Sequence, residues 1–444
     1  MSVTLPGPNP RICVIGAGPS GITACKNLLE AGLRNVVIYE KGGEVGGNWV
    51  FDEDTGHSSV FETTHTISSK TLSCFEDFPM PAHYPDYPHH SQLKEYFQSY
   101  ARHFGLLPHV RFRSEVTRAE PHEGRWKVVL GDGSVEAFDY LMVANGHHSD
   151  PRMPEYPGRF DGTFLHSHDY KRAEPFRGQR LLVIGAGNSA CDVAVATSRV
   201  AARTDLSMRR GCYVLPKYLR GRPLDTLTQG SLDRGPLLRL RRRPLLRRVI
   251  QRQFRRRLYR LQGPNEAYGL QEPQHLPFDE HPTINSEILL AIRHGQIRPK
   301  PGVRSLDGPT VHFVDGSSAQ YETIIACTGF RLSFPFFDKS LIDFGDDKPS
   351  LYLKLFHPEH RGLLFIGLFQ PQGCIWPLSD YQSRLAARYI KGQWTPPGDL
   401  RAAIEREQRS HDSDFARTPR HATEVDYHVF RMRLRSELAG RRAF

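Results

Sequence analysis

Two short apolar runs in the chain each lead into a glycine-rich turn and then into a segment with helical periodicity. The first run covers residues 12–15 and enters the turn GAGPSG at 16–21; the second covers 181–184 and enters GAGNSA at 185–190. An apolar strand, a tight glycine turn and a helix in this order predict a parallel α/β unit whose helix N-terminus holds the pyrophosphate of a dinucleotide. Because the pattern occurs twice, 169 residues apart, the sequence predicts two dinucleotide sites.

The residues of both turns are predicted to bind cofactor because each position has a backbone requirement. A first glycine permits the sharp turn, a second lets the backbone approach the pyrophosphate, and a third lets the helix pack closely on the strand. The predicted residues are Gly16, Gly18, Pro19, Ser20 and Gly21 in the first turn, and Gly185, Gly187, Asn188 and Ser189 in the second.

The residue at the end of the following strand distinguishes the two sites. The strand predicted at 36–39 ends on Glu40, and a carboxylate at this distance from a glycine turn suits a ribose hydroxyl. The strand predicted at 204–208 ends on Arg209 and Arg210, whose guanidinium groups suit the 2′-phosphate of NADPH, which a carboxylate would repel. We therefore assign FAD to the N-terminal site and NADPH to the internal site.

The rest of the pattern predicts an α/β fold with two doubly wound Rossmann-type domains. A strand meander ending on Gly146 recurs 183 residues later and ends on Gly329, and an amphipathic, core-packing helix is predicted from Ser91 to Phe104. We predict that an NADPH domain, residues 171–297, is inserted in an FAD domain made of residues 1–170 and 298–444. The charged C-terminal segment beyond Pro396 is predicted to form a surface helix.

Composition narrows the class of protein. No apolar run approaches the about 18 residues that a membrane-spanning helix needs, and the N-terminal residues lack the pattern of a signal peptide. The seven cysteines are scattered without a C-x-x-C pair, so neither a metal site nor a redox-active dithiol is predicted. We expect a cytoplasmic location from this cysteine usage.

The formal net charge of +11 is concentrated in one stretch. Residues 234–260 contain 12 arginines and no acidic residue, and the rest of the chain carries a formal charge of −1. Apolar residues repeat there at helical spacing and predict a basic amphipathic helix within about 234–261. These residues are Leu246, Ile250, Phe254, Leu258 and Leu261.

This helix has three interpretations. Its apolar stripe packs on the NADPH domain while the arginines face water, or the helix docks on an anionic membrane surface as a peripheral contact. The third interpretation, binding of nucleic acid, lacks a recognised module elsewhere in the chain, so no nucleic acid partner is expected.

Further motifs resemble those of flavin-containing monooxygenases. The run from Phe160 to Tyr170 fits F-x-G-x-x-x-H-x-x-x-Y, the identifying motif of that family, and lies directly before the second glycine turn. The segments EVGGNW (44–49), CFEDFPMP (74–81) and ACTGF (326–330) are also similar to family motifs, and the resemblance covers residues 11 to about 394. Baeyer–Villiger enzymes carry tryptophan at the place of Tyr170, so Tyr170 favours the branch that oxygenates nitrogen and sulfur.

The resemblance implies an enzyme with FAD and NADPH as cofactors. NADPH reduces the flavin, O2 adds to form a C4a-(hydro)peroxyflavin, and one oxygen atom passes to a soft nitrogen or sulfur atom of a small amine or sulfide. Further cofactor-binding residues expected from the family motifs and the loops around them are Gly47, Trp49, Thr328, Gly329, Gly367 and Gln372. His166 and Tyr170 are expected to brace the linker between the domains. A homodimer is a further expectation.

One position departs from the family pattern. Much of the family has an asparagine at the flavin edge before Ser-x-Lys, and alignment through Lys70 places Ile67 there. Ser68, Ser69 and Lys70 are the predicted catalytic residues because they could supply donors instead. If they do not, the enzyme is a weakly coupled NADPH oxidase that makes H2O2; oxygenation of ketones in the Baeyer–Villiger manner is the other alternative.

Overall fold

The structure is a computed structural model that describes residues 9–52, 58–227, 244–342, 344, 349–415 and 422–441. It divides into two units. The first consists of residues 1–50, 70–147 and 332–444, and the second consists of residues 51–69 and 148–331. Along the chain, the second unit is therefore inserted in the first.

The first unit contains ten strands and six helices among its described residues. The strands are β1 (Ile12–Ile15), β2 (Val36–Tyr39), β3 (Val110–Arg111), β4 (Val116–His122), β5 (Arg125–Leu130), β6 (Val135–Phe138), β7 (Tyr140–Val143), β23 (Leu363–Phe365), β24 (Gln370–Pro371) and β25 (Glu424–Val425). The helices are α1 (Pro19–Glu30), α2 (Lys70–Ser73), α3 (His90–His103), α7 (Ile375–Ile390), α8 (Leu400–Asp414) and α9 (Tyr427–Leu438).

The second unit contains fifteen strands and three helices in its described part. The strands are β8 (Asp150–Pro151), β9 (Gly158–Phe160), β10 (Thr163–His166), β11 (Arg180–Ile184), β12 (Arg203–Ser207), β13 (Val214–Leu215), β14 (Tyr218–Leu219), β15 (Arg222–Pro223), β16 (Thr283–Ile284), β17 (Ile297–Lys300), β18 (Val303–Gly308), β19 (Thr310–Phe313), β20 (Ser318–Gln320), β21 (Thr323–Ala326) and β22 (Phe330–Arg331). The helices are α4 (Asn188–Ser198), α5 (Pro244–Gln262) and α6 (Ile288–Arg293).

Each unit is built on a five-stranded parallel sheet. The strand order is β23-β7-β1-β2-β3 in the first unit and β10-β21-β11-β12-β17 in the second. In both, the strand before the glycine turn is central, and an antiparallel meander (β4–β6, β18–β20) precedes the strand beside it. The predicted fold of two doubly wound domains is confirmed.

The central strand of each sheet, which precedes the glycine turn, is buried on both faces. Ile12 and Val14 pack in a cluster with α1, α3 and α7, whereas Cys13 and Ile15 pack on the opposite face with residues of the meander. In the second unit Val183 faces α4, and Leu182 and Ile184 face the meander. Side chains alternate across a strand, so a continuous apolar run signals burial on both faces.

The boundaries of the insertion differ from those predicted. The expected NADPH domain ended at residue 297, but β18 to β22 also belong to the second unit, which runs to Arg331. The reason is strand pairing: β21 lies between β10 and β11, where it pairs Thr323 with Leu181. The expected start at 171 also lies too late, because the second unit resumes at His148 and β10 is its edge strand.

The C-terminal segment is not a purely surface helix. It forms α8 and α9, and these contribute Ile404, Phe430 and Leu434 to the core of the first unit. Exposed charged residues on the outer side of α8, such as Arg401, Glu405 and Arg409, contribute to the polar composition that suggested a surface location.

The predicted basic helix is α5. Residues 228–243 lie outside the described residues, so only the part from Pro244 onward is described. Leu258 is buried and Phe254 packs beside it against Tyr213 and Leu215 of the second unit, whereas Leu261 is 58% exposed. The inner part of the apolar stripe therefore packs on this unit. No helix in the described part of the chain has the length and apolarity needed to cross a bilayer.

Candidate active site

The first glycine turn fits tightly between β1 and α1. Gly16 has a positive φ of 99°, and a Cβ there would lie 2.8 Å from the Ala144 carbonyl oxygen. A Cβ on Gly21 would lie 1.8 Å from the Gly16 carbonyl oxygen. Both neighbours are backbone atoms that have no free rotation, so the turn requires glycine at both positions.

The N-terminus of α1 is open to an anion. Its N-cap is Gly18, which has no side chain to accept the first helical N–H groups, and Pro19 follows at the first helical position. No acidic residue lies in the first turn of the helix. Unsatisfied N–H groups and the positive end of the helix dipole favour a pyrophosphate at this end.

Glu40 lies at the same edge of the sheet, directly after β2. Its Oε2 accepts a 2.7 Å hydrogen bond from the Ala17 N–H, and its Oε1 accepts one of 2.7 Å from the Gly42 N–H. The residue is only 3% exposed. The carboxylate therefore also fixes the glycine turn itself, a role that its position in the sequence did not predict. A carboxylate oxygen can accept more than one hydrogen bond, so this group is chemically suited to accept from a ribose hydroxyl as well.

Two further loops of the first unit approach this turn. Gly47 has a φ of 55°, and a Cβ there would lie 2.8 Å from the Gly18 Cα atom. A Cβ on Gly367, whose φ is 78°, would lie 2.3 Å from Ser20 Oγ. The predicted residues Gly47 and Gly367 are therefore brought to the first turn, and Ser20 is additionally 3.0 Å from the Ser379 hydroxyl.

Trp49 lies beside the same loop and packs on an aromatic residue of α7. Its ring meets Trp376 edge to face, with centroids 5.6 Å apart. Gln372 lies just before α7 and donates its backbone N–H to the Val425 carbonyl over 3.0 Å. Trp376 was not predicted from the sequence, because a single tryptophan in an apolar helix carries no signal of its partner.

The second glycine turn repeats the geometry of the first. Gly185 has a φ of 146°, and a Cβ there would lie 2.5 Å from the Cys327 carbonyl oxygen. Gly187 is the N-cap of α4 and likewise provides no capping side chain. Ser189 is exposed on the first turn of α4. Asn188 is anchored, since its Oδ1 accepts a 2.7 Å hydrogen bond from the Ile284 N–H.

Arg209 and Arg210 follow β12 at the equivalent edge of the second sheet, and both are exposed. Arg210 Nη1 lies 3.8 Å from Glu280 Oε1. Arg209 forms no ion pair with a carboxylate in the described part of the chain; its backbone lies beside Gly302, where a Cβ would be 3.5 Å from the Arg209 Cα atom. Arg209 is thus the more available guanidinium for an anionic ligand.

The predicted catalytic segment spans the division between the units. Ser68 and Ser69 belong to the second unit and are buried, whereas Lys70 begins α2 in the first. Lys70 Nζ donates to the carbonyl oxygens of Ala82, at 2.9 Å, and Tyr84. This ammonium therefore holds the proline-rich loop of its own unit, and the serines are the better candidates for contact with a ligand.

Two hydroxyl groups near Ile67 have no hydrogen-bond partner among the described residues. They are Thr66 Oγ1 and Ser69 Oγ, both buried. A buried hydroxyl without a partner loses its hydration without compensation, which costs about 1–3 kcal/mol unless a bound group satisfies it. These orphaned atoms fit a site that is completed by a ligand.

Asp225 is a functional candidate that sequence reasoning missed. Its Oδ2 accepts a 2.7 Å hydrogen bond from the Ser69 N–H, and both residues belong to the second unit. Because 156 residues separate them in the sequence, no local pattern connects the two.

Thr328, Gly329 and the Phe160–Tyr170 motif all lie in the second unit. Thr328 Oγ1 donates a 2.6 Å hydrogen bond to the Arg152 carbonyl, and Gly329 accepts from the Arg152 N–H over 2.9 Å. Tyr170 is buried between Phe61 and Phe176. His166 is the last residue of β10, paired with Ala326, and its ring meets Phe330 edge to face, with centroids 5.2 Å apart. Tyr170 is a core residue of the second unit.

Thiol chemistry at the second turn is disfavoured by burial. Burial raises the pKa of the Cys327 thiol to about 12, and it raises the pKa of Cys191 well above its usual range. Both thiols are therefore protonated at neutral pH and are poor nucleophiles. Among the described residues, no group of three or more metal-ligating side chains comes together.

Each unit has a parallel α/β fold in which a glycine turn leads to an open helix N-terminus. Two such units in one chain define a protein that binds two dinucleotides. The sequence profile of flavin-binding monooxygenase-like proteins matches residues 9–441. The chain belongs to this family, so the resemblance seen in the motifs is confirmed.

Individual relatives agree with the family match. Flavin-containing monooxygenase 5 of Rattus norvegicus is 36% identical over 437 residues, which cover 94% of this chain and 80% of the relative. Dimethylaniline monooxygenase (N-oxide-forming) 2 of the same species is 35% identical over 410 residues, covering 88% and 75%. The chain is therefore an NADPH-dependent flavoprotein monooxygenase.

Solved structures share the fold. S-allyl-L-cysteine S-oxygenase from Allium sativum superposes with a TM-score of 0.72 at 21% identity, covering 98% of this chain and 90% of that protein. Cyclohexanone monooxygenase from Rhodococcus sp. Phi1, bound to NADP+, superposes with a TM-score of 0.69 at 17% identity, covering 98% and 99%.

The residues present fit the two cofactors of the family, FAD and NADPH. The first turn has the close backbone approach, the uncapped helix and the buried carboxylate that an adenine dinucleotide with free ribose hydroxyls requires. The second has an equivalent turn followed by arginine, which suits the additional phosphate of NADPH.

Proposed function

We propose that this enzyme transfers one oxygen atom from O2 to a soft nitrogen or sulfur atom of a small molecule. One substrate, one O2, one NADPH and one proton then yield the oxygenated substrate, NADP+ and water. The observation that carries this proposal is the opposite charge at equivalent positions of the two sheets. Glu40 follows β2, and Arg209 and Arg210 follow β12, so we expect each unit to bind a different dinucleotide.

The first unit is proposed to bind FAD. The N–H groups at the start of α1 would hold the pyrophosphate, Glu40 would accept from a ribose hydroxyl, and Gly18, Gly47 and Gly367 would allow the backbone to approach. Trp49, supported from the side by Trp376, would exclude water from the flavin ring. Bound FAD supplies the chemistry, accepting a hydride from NADPH and activating O2, while the protein supplies position and water exclusion.

The second unit is proposed to bind NADPH. The N–H groups at the start of α4 would hold the pyrophosphate, and Arg209, with Arg210 beside it, would pair with the 2′-phosphate. The anchored side chain of Asn188 fixes the first turn of α4 against the Ile284 backbone, so the phosphate-binding end is preorganised. Thr328 and Gly329 would shape the loop after β21 at the same edge of the sheet.

Ser68 and Ser69 are proposed to donate hydrogen bonds at the flavin edge in place of the asparagine that Ile67 replaces. The support is the buried Ser69 hydroxyl, which has no partner in the described chain, and the Asp225 carboxylate that holds the Ser69 backbone. Lys70 would act indirectly, through the loop that its ammonium group holds.

A second candidate function is NADPH oxidation without oxygen transfer. Ile67 motivates it, because an isoleucine side chain provides no hydrogen-bond donor at the flavin edge. One NADPH, one proton and one O2 would then yield NADP+ and H2O2.

One measurement separates the two functions. The purified, flavin-loaded protein is given NADPH and a panel of tertiary amines and thioethers, and oxygenated product and H2O2 are both counted per NADPH consumed. We expect at least one substrate to give mostly oxygenated product. Stoichiometric H2O2 with near-zero product across the panel would exclude the first function and support the second.

We further propose that α5 forms a peripheral contact with an anionic membrane surface. The exposed side of α5 carries Arg248, Arg252, Arg256 and Arg260 together with two apolar residues, Leu245 and Val249, which are 81% and 46% exposed. Arginines near anionic lipid contribute about 1 kcal/mol each, and exposed apolar side chains would enter the headgroup layer. Flotation with anionic and zwitterionic vesicles tests this contact; light scattering on the same preparation tests the expected homodimer.

A further inference from the structure

A groove in the second unit is lined on one side by three arginines. Arg248, Arg252 and Arg255 recur along α5 at a spacing that places them on one side of the helix. The opposite wall is the segment from Pro273 to Asp279, and the groove has a volume of about 280 Å³. This space is large enough for a phosphate group with bound water.

The positive charge of this groove is not neutralised within the described part of the chain. None of the three arginines forms an ion pair with a described carboxylate, and α5 itself contains no acidic residue. Asp279 is the one carboxylate among the lining residues. It is already engaged, since it accepts from Gln251 Nε2 at 2.7 Å, Leu276 N at 3.2 Å and Arg247 at 3.4 Å.

Holding three guanidinium groups around one groove costs electrostatic energy. Like charges that share a partly enclosed space repel each other, and an anion between them converts this repulsion into attraction. The guanidinium fork matches the oxygens of a phosphate in two parallel hydrogen bonds, and several forks around one space surround a tetrahedral anion better than a planar carboxylate.

We propose that this groove binds a phosphate ester through Arg248, Arg252 and Arg255. The ester belongs either to the headgroup of an anionic lipid or to a free phosphorylated small molecule, and the chemistry of recognition is the same. The lipid source rests on the membrane contact proposed for α5, whereas the free source does not. Leu245 and Val249 lie on the outer side of the same helix, next to Arg248 and Arg252, as a headgroup contact requires.

The test compares two double variants with equal loss of charge. Arg252→Gln/Arg255→Gln removes two groove arginines, and Arg256→Gln/Arg257→Gln removes two exposed arginines of the same helix that do not line the groove. Both are purified with flavin bound, and NADPH-dependent flavin reduction serves as the check that the fold and the cofactor sites are intact.

Two ligands are measured at constant ionic strength. Glycerol 3-phosphate is titrated calorimetrically, and flotation is measured with vesicles of phosphatidylcholine alone or mixed with phosphatidylglycerol. We expect the groove variant to lose at least about tenfold in affinity for one of these probes, and the control variant to keep its affinity for glycerol 3-phosphate within about threefold. On the anionic vesicles the control variant should lose about fivefold, because Arg256 lies on the side of α5 that is proposed to contact the membrane and an arginine there contributes about 1 kcal/mol.

The outcomes separate this proposal from the membrane contact. Equal losses of affinity in both variants would overturn the proposed phosphate site in the groove. The membrane contact would then rest on general attraction between the arginines and anionic lipid. If only the groove variant loses binding of glycerol 3-phosphate, and the wild type does not bind vesicles, the result would support a groove that binds a free phosphate ester. It would also overturn the membrane contact. Absence of binding to both probes would overturn both proposals.

Discussion

The backbone N–H of Ser69 donates a 2.7 Å hydrogen bond to Oδ2 of Asp225, across 156 residues of sequence. Ser69 directly precedes Lys70, at the end of the segment where the family's flavin-edge donors are expected, and its own hydroxyl has no partner among the described residues. The carboxylate therefore fixes the backbone of a residue whose side chain remains available. We infer that Asp225 is a positioning residue for the proposed reaction.

Replacing Asp225 is expected to lower coupling, the fraction of consumed NADPH that yields oxygenated product and not H2O2. Asp225→Ala leaves the buried Ser69 N–H without an acceptor, which costs about 1–3 kcal/mol and releases the segment. We expect the H2O2 formed per NADPH to rise severalfold, with the rate of flavin reduction by NADPH unchanged. Asp225→Asn retains an amide oxygen that accepts the same hydrogen bond, so it should restore most of the coupling. Wild-type coupling in the alanine variant would contradict the positioning role.

The two glycines of the first turn should respond differently to alanine. A Cβ at Gly21 would lie 1.8 Å from a carbonyl oxygen, whereas one at Gly18, where φ is −71°, meets nothing closer than 3.5 Å. Gly21→Ala should therefore destabilise the apoprotein by about 3 kcal/mol or prevent folding. Gly18→Ala should fold normally but bind FAD weakly, because the added methyl group occupies the approach to the pyrophosphate.

Thermal unfolding of the apoproteins and the ratio of flavin to protein after reconstitution check this difference. Gly18→Ala is the matched control for folding, since it adds the same methyl group to the same turn. Full flavin content in Gly21→Ala would show that the turn relaxes more than its backbone contacts indicate.

Arg209 should control the preference for NADPH over NADH. Loss of a charge-assisted contact to the 2′-phosphate costs about 1.5–3 kcal/mol, or a ten- to hundredfold higher KM. Arg209→Ala should therefore raise the KM for NADPH by about this factor and leave the KM for NADH within about twofold. Arg210→Ala should have a smaller effect because Glu280 already lies 3.8 Å from that guanidinium.

Steady-state kinetics with both nucleotides checks this prediction. Arg199→Ala is the charge control: Arg199 is an exposed arginine of the same unit, paired at 2.7 Å with Glu287. Equal increases of the two KM values in Arg209→Ala would refute a role in phosphate recognition.

The elements around both glycine turns were predictable because their signals are local. The apolar runs before the turns are buried strands, and the helices begin directly after the second glycine. The meanders turn at Glu123-Gly124 and Asp315-Gly316, where a glycine provides the local turn signal. The core face of α3, with Leu93, Phe97 and Tyr100, likewise followed from its spacing. In each case a few consecutive residues contain the whole signal.

The end of the inserted unit was missed for a physical reason. A strand of a parallel sheet is apolar on both faces, so the sequence of β21 does not indicate which sheet it joins. The recurring meander does indicate which sheet β21 joins. The strands β18 to β20 correspond to β4 to β6, and each meander precedes the strand next to the glycine turn of its own unit. The contact between Ser69 and Asp225 has no such counterpart, because it depends on how two distant loops fold.

Acidification should destabilise the first unit at His357. Burial lowers the pKa of His357 to about 4, and the neighbouring His360 contributes to the same shift. The geometry agrees: His357 Nδ1 accepts the N–H groups of Glu359, at 3.2 Å, and His360, at 3.1 Å, which a protonated Nδ1 cannot do. Between pH 6.5 and about 4 the unfolded chain binds more protons here than the folded chain, so stability falls as pH decreases through this window and is unaffected above it.

His357→Asn should remove this component, because the amide oxygen accepts the same N–H groups at every pH without gaining charge. The wild type should lose about 3 kcal/mol from this group on full acidification, and the variant should show a correspondingly flatter dependence of Tm on pH. Thermal unfolding between about pH 4.5 and 7.5 measures the difference, with His122→Asn as the control, since His122 is an exposed imidazole of the meander. If the Tm curves of His357→Asn and the wild type stay parallel at every pH, other groups dominate the loss of stability in acid. A difference between the two curves that is constant above pH 6.5 and changes only at lower pH would locate the response at this turn.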